Sequence, residues 1–211
     1  MDMLSKLQKH REEEEKLQWE GTFAEYLQLV KERPYIAQSA HSRLYHMITH
    51  AGIEEKDGRK QYKFFTDELF GLDETLEKLV EEYFHPAAKN LDVKKRILLL
   101  MGPVGGGKST IVTLLKQGLE RFTRTDEGAV YAIKGCPMHE DPLHLIPNHL
   151  RDDFYEEYGI RINGSLSPLN TLRLEEEYNG RIEDVIIERV LFSENKRVGI
   201  GTFSPSDPKS Q

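Results

Sequence analysis

The sequence predicts an α/β fold organised on a parallel sheet, and three stretches carry that prediction. Residues 97–101 (ILLLM) form a short apolar run suited to a buried strand, residues 102–107 are glycine-rich, and Ile111, Leu114, Leu115, Leu119 and Phe122 then recur at helical spacing. Residues 129–133 (AVYAI) read as a second strand of the same sheet. Residues 184–192 (DVIIERVLF) and 197–203 read as two more strands, joined through Ser193, Glu194, Asn195 and Lys196 as a late β-hairpin. The sheet is expected to be incomplete, because the polar, proline-broken end SPSDPKSQ contributes no closing element.

The glycine-rich stretch is the chemical centre of the chain. Gly102, Gly107, Lys108 and Ser109 fit G-x-x-x-x-G-K-[ST], with Pro103, Val104, Gly105 and Gly106 between them and Thr110 after. Glycines let the backbone bring N–H groups up to phosphate oxygens, and the following helix adds the unpaired donors and partial positive charge of its N-terminus. Lys108 is expected to reach the β- and γ-phosphates of ATP, and the Ser109 hydroxyl to ligate magnesium. The plain alternative is a strand-to-helix turn that happens to be rich in glycine. On a parallel sheet, the nucleotide would lie at the carboxyl end of the strand that closes near Met101.

Length and composition frame this reading. A chain of 211 residues with a formal charge of -7 can hold one large domain, or one domain with a small appendage. An acidic balance gives no electrostatic footprint for nucleic acid. The longest apolar run, residues 97–101, is too short to cross a membrane, and the charged start MDMLSKLQKHREEEEK has no secretory-signal pattern. Cys136 is the single cysteine, so no intrachain disulfide can form, and a cytoplasmic location is expected.

Residues 1–61 read as a helical segment ahead of a nucleotide domain at residues 62–211. The first 20 residues are helical and charged, a solvated face or a docking arm. Thr22 and Glu25 form a capping box before Phe23, Tyr26, Leu27 and Val30; after Pro34, the residues Ile36, Ala40, Leu44, Met47 and Ile48 mark a second helix, so residues 20–52 read as a helical hairpin. Leu72, Leu76, Leu79, Val80, Tyr83 and Ala87 mark a later helix. Further on, Cys136, His139, Glu140, Asp141, His144 and His149 crowd one segment, but their spacing matches no usual zinc pairing and the prolines there suit a rigid loop. Two short helices follow, one ending at Gly159 and one capped by Ser167 with Pro168 at its first position.

An ATPase also needs an apolar run ending in an acid that holds magnesium and orients water. The one weak candidate catalytic acid is Glu188, after Val185, Ile186 and Ile187, and it continues directly as strand. The chain is therefore expected to bind ATP without turning it over.

Several strings resemble one family. WEGTFAEYL near Trp19, DELFGL at Asp67, EEYFHPAAK at Glu81, YAIKGCPMHEDPLHLIP at Tyr131, SPLN at Ser167 and GIGTFSPSDPKSQ at Gly199, together with the glycine loop, resemble the PrkA-type bacterial serine protein kinases, whose N-terminal part is an AAA+ module. The resemblance covers essentially the whole chain and implies an opening portion of a longer enzyme. In AAA+ ATPases a hydrophobic-Gly segment before the loop walls the adenine pocket, and Leu69, Phe70 and Gly71 look like that segment. The family implies ATP-dependent phosphorylation of protein serine and links to sporulation and stress responses, so the leading expectation is the ATP-binding part of such a kinase, coupling ATP to serine phosphorylation in the full-length parent. Its AAA+ character equally implies a mechanochemical ATPase or ATP-dependent protease, with a homo-oligomer of the full-length parent, and a nucleotide-gated interaction module is a third reading. Protein-kinase signatures are missing: His149-Leu150-Arg151-Asp152 lacks the catalytic-loop spacing, and there is no D-F-G. The protein substrate is not legible.

Overall fold

A computed structural model describes residues 2–56, 58–89, 98–103 and 105–201. In chain order the elements are α1 (Met3–Leu17), β1 (Glu20–Thr22), α2 (Phe23–Glu32), α3 (Ala40–His50), β2 (Ile53–Lys56), β3 (Arg59–Tyr62), α4 (Lys63–Thr66) and α5 (Asp73–Lys78). A π-helical stretch Leu79–Phe84 leads into α6 (His85–Ala88), followed by α7 (Lys108–Phe122), β4 (Val130–Ile133), α8 (Arg151–Tyr158), α9 (Pro168–Tyr178) and β5 (Ile186–Val190). The chain divides into two compact units, Met1–Ala37 with Thr123–Gln211, and Gln38–Phe122. The split expected between residues 61 and 62 falls inside the second unit, and the expected helical hairpin is divided, α2 going to one unit and α3 to the other.

The first unit is built on a three-stranded sheet of order β1-β5-β4, antiparallel throughout, with Gly21 opposite Ile187 and Ala132 opposite Glu188. One face is apolar. Ile133 and Ile187, paired across the ladder on that face, are buried, and Phe23, Tyr26 and Val30 of α2 pack with them and with Leu143, Phe154 and Val185 in one core. The entry to α2 is fixed as the sequence predicts: the Thr22 amide donates to Glu25 Oε2 at 2.7 Å and the Glu25 amide to Thr22 Oγ1 at 3.3 Å. Ser167 likewise caps α9, and Gly159 closes α8 with a left-handed φ of 69°.

The expected parallel sheet is not found among the described residues, where every strand pair is antiparallel. Residues 98–101 carry no strand, and Ile97 lies outside the described residues. A strand is held by its ladder, and the only ladder described in the second unit joins β2 to β3. Leu99 and Met101 are accordingly 73% and 82% exposed. Among the described residues the late hairpin is a single antiparallel bridge between Ser193 and Val198, where Arg197 and Gly199 take left-handed φ angles of 54° and 67° that interrupt the extended return strand; residues 202 and 203 lie outside the described residues. The partners of β5 are β1 and β4 instead.

The second unit packs Met47 and Ile48 of α3 with Tyr62, Phe65, Leu69, Leu76, Val80, Ile111 and Leu114. Gly118 sits in the middle of α7, where alanine would ordinarily favour the helix. A Cβ there would lie 2.6 Å from Phe64 Cζ and 2.8 Å from Met47 Sδ. Gly118→Ala is therefore expected to destabilise the protein by about 1–2 kcal/mol, overpacking exceeding the helix-propensity gain, as read from the urea midpoint.

Candidate nucleotide-binding loop

The loop begins after Met101 and runs into the first turn of α7; Val104 lies outside the described residues. Gly105 and Gly107 adopt left-handed φ angles of 81° and 74°. Gly107 is confined by space as well. A Cβ there would lie 2.9 Å from Leu72 Cδ1 and 3.3 Å from Leu69 Cδ2. Among the described residues the first helical bond near the loop runs from the Ile111 amide to the Gly107 carbonyl at 2.9 Å, which puts the amides of Lys108, Ser109 and Thr110 in the first turn, ahead of that ladder. Residues Gly105 to Thr110 line a pocket of about 350 Å³.

Lys108 folds back over this loop. Its Nζ donates to the Gly102 carbonyl at 2.8 Å and to the Pro103 carbonyl at 2.5 Å. These are charge-to-dipole bonds, weaker than those the same ammonium makes to an anionic phosphate oxygen, so an arriving phosphate competes favourably for it. Ser109 is exposed at the start of α7, with its hydroxyl beside the same pocket.

The segment before α5 meets the loop from one side. Leu69 is buried and packs with Leu72 on Gly107, while Phe70 is 82% exposed and Gly71 has a left-handed φ of 71° with open space around it. The structure thus brings Leu69 and the loop together. Leu72 was legible only as a helix position; its contact with Gly107 was signalled by nothing beyond its place next to the hydrophobic-Gly segment.

The PrkA AAA domain family matches residues 21–211. The chain belongs to that family. It is 76% identical over all 211 residues to "ATP-dependent protease PrkA" of Bacillus subtilis (strain 168), of which it covers 33%. It is 73% identical over 97 residues, 46% of this chain, to the whole of "Uncharacterized protein in gldA 5'region" of Geobacillus stearothermophilus. A third relative, "Serine/threonine kinase YeaG" of Escherichia coli (strain K12), is 31% identical over 153 residues, 69% of this chain and 22% of that protein. The chain thus spans about a third or less of the PrkA and YeaG relatives. No solved structure matches it. An AAA domain implies a P-loop nucleotide-binding fold. Among the described residues no helix is long and apolar enough to cross a membrane.

Within this PrkA AAA domain, Glu188 lies on the central strand β5, where its Oε1 accepts from the Gly135 amide at 3.3 Å. It belongs to the first compact unit and the glycine loop to the second.

The Cys136–His149 segment resolves into a structural hub. Glu140 accepts from the Ser167 amide at 2.7 Å, the Ser167 hydroxyl at 2.6 Å and Asn170 Nδ2 at 2.6 Å, and His144 Nδ1 lies 3.1 Å from it. Burial raises the Glu140 pKa, but the hydrogen bonds from Ser167, Asn170 and His144 outweigh it and hold the carboxyl below its usual range. The buried Cys136 thiol accepts from Asn170 Nδ2 at 3.2 Å, and the second nitrogen of His144 lies 2.8 Å from the Asn163 carbonyl. His139 and His149 are exposed, and among the described residues no group of three His, Cys, Asp or Glu could hold a metal ion.

Proposed function

We propose that the chain binds ATP with magnesium at Gly102 to Thr110 and forms the ATP-binding part of a larger enzyme acting on proteins. The observation that carries this reading is the Lys108 ammonium, held 2.8 Å from the Gly102 carbonyl at a pocket lined by the first residues of α7. In it, Lys108 exchanges its carbonyl partners for the β- and γ-phosphates, and the amides of the helix start take the remaining phosphate oxygens. The exposed Ser109 hydroxyl suits one hard oxygen ligand beside the phosphates, the usual protein share of a magnesium site. Bound magnesium would neutralise phosphate charge there. Leu69, exposed Phe70 and Gly71 serve as the adenine wall. Calorimetric titration with ATP and magnesium tests this directly: saturable binding is expected, and a flat titration on folded protein overturns the reading. Phosphate release in the same sample would require an acid, and Glu188 is the first residue to substitute.

For the larger enzyme, ATP-dependent proteolysis is the favoured reading, because the relative of that name is 76% identical over this whole chain while the kinase-named one is 31% identical over 69% of it. The loop supports the same preference, since a G-x-x-x-x-G-K-[ST] loop is not the Gly-rich loop of protein kinases. Phosphorylation of protein serine is the second reading, supported by the name of the Escherichia coli relative. Incubating the full-length protein with ATP and an unfolded model protein separates them. ATP-dependent peptide release is expected; phosphoserine without peptide release reverses the order. A cytoplasmic, homo-oligomeric full-length parent belongs to the same proposal.

A further inference from the structure

A second cavity, of about 450 Å³, lies wholly within the first unit, far in chemistry from a phosphate site. Its floor is apolar: Phe23 of α2, Ile146 and Phe154 are buried there, and Leu27 and Leu150 line it higher up. Leu150 is 44% exposed, a large aliphatic side chain at a groove wall. The walls are stiff. Arg151 donates through Nε to the Ile146 carbonyl at 3.1 Å and through Nη1 to the Gly164 carbonyl at 2.7 Å, and the Phe154 and Tyr158 rings stack at 4.3 Å. A preformed groove of this kind lowers the ordering cost of binding.

Charge identifies what it would accept. Every ionisable side chain among the described lining residues, apart from the phenol of Tyr158, is a carboxylate: Asp153, Glu157 and Glu183, all exposed. Glu157 is bridged to Lys31 at 3.1 Å, whereas Asp153 and Glu183 make no ion pair among the described residues. The neighbouring Asp152 and Glu156 of α8 add to the same negative field. Such a rim repels fatty-acid carboxylates and phosphates and attracts ammonium and guanidinium groups. We propose that this groove docks a basic amphipathic helix of a partner protein, its leucine-like side chains on the apolar floor and its lysines or arginines against Asp153 and Glu183. The proposal does not depend on the nucleotide reading of the glycine loop.

The test uses the protein as it stands and a fluorescein-labelled helical peptide with Leu at i, i+3, i+4 and i+7 and Lys elsewhere, read by anisotropy. Saturable binding is expected that weakens with added salt and is absent for the same peptide with Glu in place of Lys. Because the whole chain is acidic, attraction alone decides nothing; the variant Asp153→Lys with Glu183→Lys does. It replaces two exposed side chains, so folding should be kept, and it should weaken binding ~10-fold or more. Leu150→Glu should weaken it comparably. No binding of the Lys peptide, or binding unchanged by the double reversal, overturns the proposal. So does self-association that the same reversal abolishes while the peptide fails to bind, which would make a second copy the occupant.

Discussion

Lys108→Ala is expected to lower affinity for ATP with magnesium by ~30- to 150-fold, the loss of charge-assisted hydrogen bonds worth about 2–3 kcal/mol. Among the described residues the side chain bonds only the loop carbonyls of Gly102 and Pro103, and it belongs to neither core. Stability should therefore stay within about 0.5 kcal/mol of the parent, which separates a lost ligand contact from a lost fold. Lys108→Arg should not restore binding, since a planar guanidinium is bulkier than an ammonium and presents its donors as a fork. Ser109→Ala should act differently: affinity measured without magnesium should be kept, and the gain on adding the ion should shrink. Calorimetry on the variants checks each point. Unaltered binding of ATP by Lys108→Ala would remove the loop from the nucleotide site.

What could be read from sequence divides by the range of the interactions involved. The loop was legible because its geometry is local: Gly105 and Gly107 need left-handed backbone, and Lys108 follows them directly. The capping box at Thr22 and Glu25, the Ser167 cap and the Gly159 stop are local for the same reason. Pairing is not local. An apolar run such as residues 98–101 has the composition of a strand but becomes one only when a partner supplies the other half of its hydrogen bonds. β1 is three residues long, too short to show any period, yet it sets one edge of the sheet. The packing boundaries at Ala37 and Phe122 are likewise invisible, because Phe23 and Tyr26 find their core partners at Ile133, Phe154 and Ile187, far along the chain. Glu140 shows the same limit at a single side chain. Its sequence neighbours raised the thought of a metal, but its hydrogen-bond partners Ser167 and Asn170 lie 27 and 30 residues away.

That hub carries the other large expected effect. Glu140→Ala should destabilise the first unit by about 3 kcal/mol, because it leaves the Ser167 amide and hydroxyl without their acceptor and strips Asn170 Nδ2 of its shorter bond. Glu140→Gln keeps the shape but loses the charge, and turns a donor toward donors; about half that cost is expected. Trp19, the single tryptophan, stacks edge-on to Tyr131 at 5.2 Å in the same unit, so its fluorescence during urea unfolding reports on the right core. The pH dependence has a definite sign. The folded pKa of Glu140 lies below its unfolded value, near the usual 4.5, so the ionised carboxylate's stabilisation is complete above that pH and disappears as pH falls through the depressed folded value. The stability gap between the parent and Glu140→Gln should therefore narrow as pH falls below about 4.5. A gap that stayed constant over that fall would mean that the carboxylate's charge is not what holds α9 to the Cys136–His149 segment.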